Sequence, residues 1–253
     1  HEVVGTCRTD DIPPLVRLDL RDHDNLRNLA RQGFDIVLHS AGVVDIAAAE
    51  ADTELAWEVN VRSVAVLLET LRGSPTRIIF VSSDNVFDGT RDWYVESDRA
   101  CPINAYGGTK VAAEQLLAEA NHLSVRIPIV YGRSPWSDRF LARFAARVTP
   151  AAVDLVCAPL YLPSLPAALE RLWDLEGVVH LAGSEVVTRF ELMAKVQAAL
   201  DLPTTVVPVG NDETPAGAKR PKRLVLRSIR HDLAGPDLDT ALAHLSRDSA
   251  AWS

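Results

Sequence analysis

Cysteine is scarce and unpatterned in this chain. Its 253 residues hold three, Cys7, Cys101 and Cys157, with no Cys-x-x-Cys. That excludes a disulfide scaffold and a cysteine-ligated zinc site, and it fits a reducing, cytoplasmic compartment. The seven histidines show no metal-like spacing, so no metal is expected. No apolar run approaches the ~20 residues that span a bilayer, which excludes a membrane helix. Excess positive charge is also missing. The net charge of −8 argues against a protein built to hold a nucleic-acid backbone. No Gly-x-Gly-x-x-Gly or Gly-x-x-Gly-x-x-Gly occurs anywhere.

What is present is a regular alternation of short β-rich runs with helical stretches. Residues 2–8 and 15–18 read as strands, 22–32 as a helix closed by Gly33, and 34–39 as a buried-type strand leading into Ser40-Ala41-Gly42. A long helix is predicted from near Thr53 to Arg72, with Val64, Leu67, Leu68 and Leu71 on one face. Then come a strand over 77–82, a polar loop over 84–103, a helix, and a strand over 124–127. Strands alternating with helices of this length imply βαβ units, and so an α/β fold with a Rossmann-type, doubly wound parallel sheet. The second half is richer in proline. Helices are predicted near 138–148, 164–175 and 189–200, the last opened by a capping box, Thr188-Arg-Phe-Glu191. A strand is predicted over 177–181 and a short terminal helix around Leu238, Leu242 and Leu245. The division expected is 1–130 as a dinucleotide-binding region and 131–253 as a smaller substrate-binding region, with 151–182 returning to the Rossmann sheet.

A dinucleotide-binding sheet needs a central first strand followed by a glycine-rich turn at a helix N-terminus. The first strand legible here, 2–8, has the character of the second strand of such a unit. Either residues preceding His1 carry that first strand and its turn, which is the expectation favoured, or the fold is reorganised.

The chemistry concentrates in Asn104-Ala-Tyr-Gly-Gly-Thr-Lys-Val-Ala-Ala-Glu-Gln115. Tyr106 and Lys110, four apart, share a helix face with roughly 6 Å between Cβ atoms. Twenty-three positions before Tyr106, an apolar strand ends in Ser82-Ser83-Asp84, placing a hydroxyl at the strand tip where open α/β sheets bind ligands. A phenol with a free pKa near ~10 is a poor acid or base at neutral pH. A neighbouring ammonium is expected to lower that value and let the Tyr exchange a proton with a substrate oxygen.

The stretches Val81-Ser-Ser-Asp-Asn-Val-Phe-Asp-Gly89, Trp93-Tyr-Val-Glu-Ser-Asp98, Pro102 and Asn104 to Gln115 resemble the extended short-chain dehydrogenase/reductases. Within them the chain is most similar to the dTDP-4-dehydrorhamnose reductases. Arg126-Ile-Pro-Ile-Val-Tyr-Gly132, Gly177-Val-Val-His-Leu-Ala-Gly183 and Lys219-Arg-Pro221 resemble further landmarks of that family. The resemblance implies a reductase that moves hydride from NADPH, or NADH, to the keto group of a nucleotide-linked 4-keto-6-deoxysugar. It implies Ser83 at the substrate carbonyl, Tyr106 as proton donor, and Lys110 on the nicotinamide ribose, lowering the Tyr pKa. Ser40, Ala41 and Gly42 match the loop lining the cofactor, Asp19 and Leu20 the adenine contacts, and Asn60 a helix residue near the catalytic strand. Asp84, Asn85, Val86 and Phe87 follow Ser83 on the substrate side, where Asn85 replaces an aromatic usual in the family. Relatives often pair through their long helices, so a homodimer is a fair expectation.

Arg8 follows the second strand, where an Arg accepts the 2′-phosphate of NADP, although Asp10 and Asp11 stand nearby. Lys219, Arg220, Lys222, Arg223, Arg227 and Arg230 place six cations in twelve residues, suited to a nucleoside diphosphate or to a solvated loop. Arg220 is expected at the substrate. Trp93, Tyr94 and Trp136 fall in loops expected near it, whereas Trp57 and Trp173 are expected in the core. An epimerase or dehydratase of the same superfamily, a reductase of a non-nucleotide ketone, and a non-catalytic regulatory subunit that binds NADP remain as alternatives. Dehydratases place an Asp-Glu pair beside the Ser, and Ser83-Asp84-Asn85 lacks the Glu.

Overall fold

The run Arg77-Ile-Ile-Phe-Val-Ser-Ser83 forms a strand buried on both faces, with Ile78, Ile79 and Phe80 at most 2% exposed. Continuous apolar strands of this kind belong inside parallel sheets covered by helices on both sides. The computed structural model describes residues 1–9, 13–119, 121–133, 140–211 and 219–251.

Two short strands, β1 (Thr6–Cys7) and β2 (Val16–Arg17), pair in parallel. Strand β3 (Ile36–His39) pairs with β4 (Arg77–Ser83), β4 with β5 (Leu123–Ile127), and β5 with β10 (Gly177–His180), all in parallel. The order is β10-β5-β4-β3, and no ladder among the described residues joins β3 to β1. Leu38 on β3 and Val16 on β2 are correspondingly 49% and 42% exposed.

Helices cover both faces of this sheet. Helices α1 (His23–Ala30), α4 (Ser63–Thr70) and α5 (Ala105–Leu117) pack Leu26, Val64, Leu67, Ala113 and Leu117 against Ile78 and Phe80. Helix α6 (Leu165–Leu172) packs Leu169 and Leu172 with Ile79, Val125 and Val179 on the opposite face. Each such side chain contributes about 1.5–3 kcal/mol by leaving water. Parallel strands between two helical layers form a doubly wound α/β sheet. No helix among the described residues is long and apolar enough to cross a membrane.

Strands β6 (Val130–Tyr131) and β9 (Leu160–Tyr161) form one of three small ladders in the second half. A second joins β7 (Val148–Ala152) to β12 (Thr205–Val209). The third is ordered β11-β8-β13, from Val187–Thr188, Val156–Cys157 and Arg223–Leu224. Helices α7 (Arg189–Ala199) and α8 (Leu238–Ala251) close a separate core with Tyr131, Phe144 and Tyr161. The capping box is present, with the Thr188 hydroxyl accepting from Glu191 N and the Glu191 carboxylate accepting from Thr188 N.

Three sequence expectations differ. The helix near 138–148 is a single 3₁₀ turn, Leu141–Phe144, after which β7 begins, because β7 finds a ladder partner in β12 that no local pattern reveals. The long helix from Thr53 is broken into α3 (Thr53–Trp57), a π turn (Glu58–Arg62) and α4, and is preceded by α2 (Ile46–Ala51). Trp57, the last residue of α3, is 49% exposed rather than core.

Candidate active site

Ser83 ends β4 in extended backbone (φ −143°, ψ 154°), and its hydroxyl caps the 3₁₀ turn Asp84–Val86 by accepting from Asn85 N at 3.2 Å. The same hydroxyl donates to Asp84 Oδ1 at 3.1 Å, and Asn85 Nδ2 donates to that oxygen at 2.9 Å. Asp84 is 5% exposed. Burial pushes its carboxyl up to about 6 against the pull of Asn85 and Ser83.

Asn104 starts α5. Its side chain accepts from Gly107 N at 2.8 Å, the usual role of an N-cap amide. Its Nδ2 donates to Asn85 Oδ1 at 3.2 Å and to Lys219 O at 3.1 Å. One side chain thus joins the helix start, the strand-tip loop and the segment bearing Arg220. Gly107 lies against the Asn85 carbonyl so closely that any Cβ there would collide with it.

Tyr106 and Lys110 follow on the inner face of α5, 8% and 2% exposed. The ammonium of Lys110 donates to Val81 O at 2.9 Å and lies 4.5 Å from the Phe80 ring centroid and 5.8 Å from that of Tyr106. Burial lowers it to about 8, opposed by Glu114. The expected lowering of the Tyr106 pKa by Lys110 is not found. Burial pushes the phenol up to about 12, with Ser83 drawing it down and the Asp84 charge adding to the rise.

Beside this pair, the π turn aims Asn60 inward. Its Oδ1 accepts from Val43 N at 2.7 Å, and its Nδ2 donates to Val43 O and to Thr109 Oγ1, each at 3.0 Å. Asn60 therefore ties the loop after β3 to α5. In that loop Ser40 and Ala41 are exposed, and Gly42 approaches Asn60 so closely that a Cβ would meet Oδ1 at 2.6 Å. Beneath it, His39 binds the Ser63 hydroxyl through Nε2 at 3.2 Å while its buried Nδ1 has no partner.

The structure brings Ser83, Asp84, Asn85, Asn104, Tyr106, Lys110, Asn60 and the 40–42 loop to the C-terminal end of the sheet. Arg8 is exposed and near enough to Asp19 to lower its pKa, but the Asp19 carboxylate is held at about 2 chiefly by Arg21, at 2.5 Å. Leu20 packs against the core beneath α1 and α4. Val86 and Phe87 are wholly buried, Phe87 stacking on Tyr94 at 4.2 Å, so their side chains face the core rather than an open cleft. Trp136, Asp10 and Asp11 lie outside the described residues. Trp93 is 47% exposed beneath the Arg227 guanidinium, 4.3 Å from its ring centroid.

The six-cation cluster disperses. Lys222 pairs with Asp154 at 3.1 Å, Arg223 approaches Asp92 at 3.7 Å, and Arg230 donates to Glu176 O and Val178 O. With Arg227 on Trp93, only Lys219, exposed, and Arg220 stay uncommitted. Arg189, close enough to Asp84 to lower its pKa, Asn104, and the buried pair Glu114–Arg126, joined at 2.7 Å, were not expected. Asn104 was detectable as a cap residue just before an apolar helix. Arg189 carried a faint signal too, because a cation in the first turn of a helix opposes the macrodipole.

Strand order, the strand-tip Ser and the helical Tyr–Lys pair agree with the resemblance to the extended short-chain dehydrogenase/reductases of dTDP-4-dehydrorhamnose reductase type. Residues 1–236 match the model of the RmlD substrate binding domain, and the chain belongs to that family. A dTDP-4-dehydrorhamnose reductase of Mycolicibacterium smegmatis is 32% identical over 229 residues, covering 86% of this chain and 70% of that protein. The methionine adenosyltransferase 2 subunit beta of Danio rerio is 27% identical over 257 residues, covering 94% and 79%. Among solved structures, a dTDP-4-dehydrorhamnose reductase of Bacillus anthracis in complex with NADP superposes with a TM-score of 0.83. It is 23% identical, with 91% of this chain and 87% of that one covered.

Proposed function

We propose that this protein is an NADPH-dependent reductase acting on the keto group of a nucleotide-linked 4-keto-6-deoxysugar, with Tyr106 as the proton donor. The observation that carries the reading is the convergence of Ser83, Tyr106 and Lys110 at one end of the sheet, with the phenol held protonated. The M. smegmatis and B. anthracis relatives support it by their names, and the latter by its NADP.

The residues present fit the nicotinamide half of such a cofactor. Lys110 directs one bond to Val81 O and has no carboxylate in ion-pair contact, which leaves donors for a ribose hydroxyl. The 40–42 loop, fixed by Asn60, offers exposed backbone, and Arg8 would take the 2′-phosphate. When bound, NADPH supplies hydride to the carbonyl carbon.

The chain's own part is positioning and proton supply. Ser83 Oγ, already a donor to Asp84, turns its proton to the substrate oxygen and polarises it. Negative charge that develops there is quenched by the Tyr106 O–H. A phenol pushed up to about 12 is fully protonated at neutral pH, and a developing alkoxide is more basic still, so transfer runs from Tyr to substrate. Lys110 lies one helical turn away, its ammonium 5.8 Å from the Tyr106 ring centroid.

A non-catalytic reading is favoured by the likeness to methionine adenosyltransferase 2 subunit beta. The test is consumption of NADPH by the purified protein with a dTDP-4-keto-6-deoxyhexose, beside Tyr106→Phe. Turnover lost in the variant, about 10²–10⁴-fold, while NADPH still binds, supports the reductase. NADPH binding without turnover of any keto sugar nucleotide overturns it in favour of the regulatory role.

A further inference from the structure

Ser82 on β4, Arg126 on β5 and His180 on β10 are Cα partners across the parallel sheet, so their side chains leave it on one face. Glu114 of α5 closes over this row. Its Oε1 accepts from the Ser82 hydroxyl and from Arg126 Nε, the latter at 2.9 Å, and its Oε2 accepts from Arg126 Nη2 at 2.7 Å. Arg126 Nη1 extends the row to His180 Nε2 at 3.3 Å. One carboxylate, 6% exposed, therefore joins a helix to two strands.

Lys110 stands one turn earlier on the same helix face, where residues four apart hold their Cβ atoms roughly 5–6 Å from each other. Its ammonium donates to Val81 O, and Ser82 is the next residue along β4. Lys110 and Glu114 thus fasten α5 to consecutive residues of the strand that ends in Ser83. The nearness is electrostatic as well as mechanical. A buried cation whose bond goes to a neutral carbonyl tends to lose its proton. Burial lowers Lys110 to about 8, and Glu114 opposes that fall even while Arg126 draws on the same carboxylate. The other titratable groups around Lys110 do not compete for this role. His39 of β3 is neutral, and Tyr106 is held protonated. Asp84 is engaged by Ser83 and Asn85, and Glu58 of the π turn pairs with Arg62. Glu50, Glu54 and Glu69, on α2, α3 and α4, are exposed.

We propose that Glu114 is a positioning residue of this site, acting through Lys110 as its counter-charge one helical turn away. A charged Lys110 carries three N–H donors, and Val81 O takes one of them. The other two are free to turn toward a ligand at the strand tip. Their assignment to the cofactor ribose rests on the reductase reading. Ser82 and Arg126 keep the carboxylate from swinging onto the ammonium, so Lys110 is held charged without being tied up in an ion pair. Losing the Glu114 charge by about one pH unit's worth of stabilisation would cut the charged fraction of Lys110 at pH 7.5 from about three-quarters to about one-quarter.

The test is direct titration of Lys110 by NMR in the full protein, with lysine labelled by carbon-13 at Cε. The chain has four lysines, Lys110, Lys195, Lys219 and Lys222, so the spectrum is simple, and the signal lost in Lys110→Met is assigned. Glu114→Gln is expected to lower the Lys110 midpoint by about one pH unit, and Glu114→Asp to restore most of it. Glu114→Gln combined with Arg126→Gln leaves neither partner as a lone buried charge, and it should show a fall of the same sign if the single variant fails to fold. Ser82→Ala removes a hydrogen bond to the carboxylate but no charge, so it should leave the midpoint in place. A midpoint unmoved by both neutral variants, or moved equally by Ser82→Ala, overturns the proposal. With NADPH and a keto sugar nucleotide, the alkaline fall of kcat/KM should come about one unit earlier in Glu114→Gln, whereas a purely structural role would scale the whole profile down. The two readings separate cleanly. A protein whose Lys110 titration follows Glu114 yet reduces nothing keeps this role for Glu114 and loses the reductase. A keto-sugar reductase whose Lys110 midpoint ignores Glu114 keeps the reductase and loses the counter-charge.

Discussion

Glu114 of α5 and Arg126 of β5 face each other, joined at 2.7 Å with 6% of each side chain exposed. Glu114 also accepts from the Ser82 hydroxyl, and Arg126 reaches His180 Nε2 at 3.3 Å and lies 5.0 Å from the Phe87 ring centroid. Removing one partner leaves an uncompensated buried charge. Glu114→Ala is expected to cost about 3–5 kcal/mol in urea unfolding, whereas Glu114→Met with Arg126→Leu should recover most of that loss. A Glu114→Ala protein as stable as the parent would contradict the pair's role.

Gly107 is held by contact rather than by dihedral freedom. Its neighbour is the Asn85 carbonyl, and the Cβ of Pro102 would also lie 2.9 Å from an added methyl. Gly107→Ala is therefore expected to displace the loop 84–86 from the helix start. Activity should fall further than the melting temperature does, because the displaced loop is capped by the Ser83 hydroxyl and follows it directly. Gly108→Ala has open space around it and serves as the control, with near-parental activity expected.

Acid stability should be governed by opposing buried groups. His39 and His180 are both lowered to about 4 from an ordinary 6.5, chiefly by burial. The unfolded chain then binds protons before the folded one does, so their contribution is present above pH 6.5 and is lost as pH falls toward 4. Asp84, raised to about 6 from 3.8, acts the other way, because the folded state takes up its proton first and gains stability as pH falls through 6. Melting curves from pH 7.5 to 4 should show a flatter decline for His39→Gln than for the parent, and a steeper one for Asp84→Asn. Parallel curves for all three proteins would contradict both assignments.

Asn60 carries three hydrogen bonds that link the loop after β3 to α5. Asn60→Ala should destabilise by about 1–3 kcal/mol, the cost of leaving Val43 N and its neighbours unpaired. It should also weaken NADPH binding, measured by fluorescence titration, through the freed 40–42 loop.

The chemistry-bearing segment was legible because its signals are local. Ser83 stands at the end of an apolar run, and Tyr106 and Lys110 share a helix face whatever surrounds them. The capping box at Thr188 and the strands over 34–39 and 77–82 were readable for the same reason. What escaped depended on distant partners. β7 forms only because β12 pairs with it, and the six cations near residue 220 disperse because Asp154, Asp92, Trp93 and the end of β10 reach four of them. Arg189 joined the site through a three-stranded ladder with two-residue strands, too short for periodicity to register. The Tyr106 pKa was misjudged because spacing gives proximity along a helix but not where the Lys110 ammonium points, which is to Val81 O.

The most direct measurement is deuteride transfer. The protein would be given NADPH deuterated at the reactive nicotinamide carbon together with a dTDP-4-keto-6-deoxyhexose, and the product sugar analysed by mass spectrometry and NMR. The predicted result is one deuterium on the former carbonyl carbon, lost with Tyr106→Phe under conditions where that variant still binds NADPH. Product formed without label, or label transfer that persists at the parental rate in Tyr106→Phe, would contradict the assignment of this site.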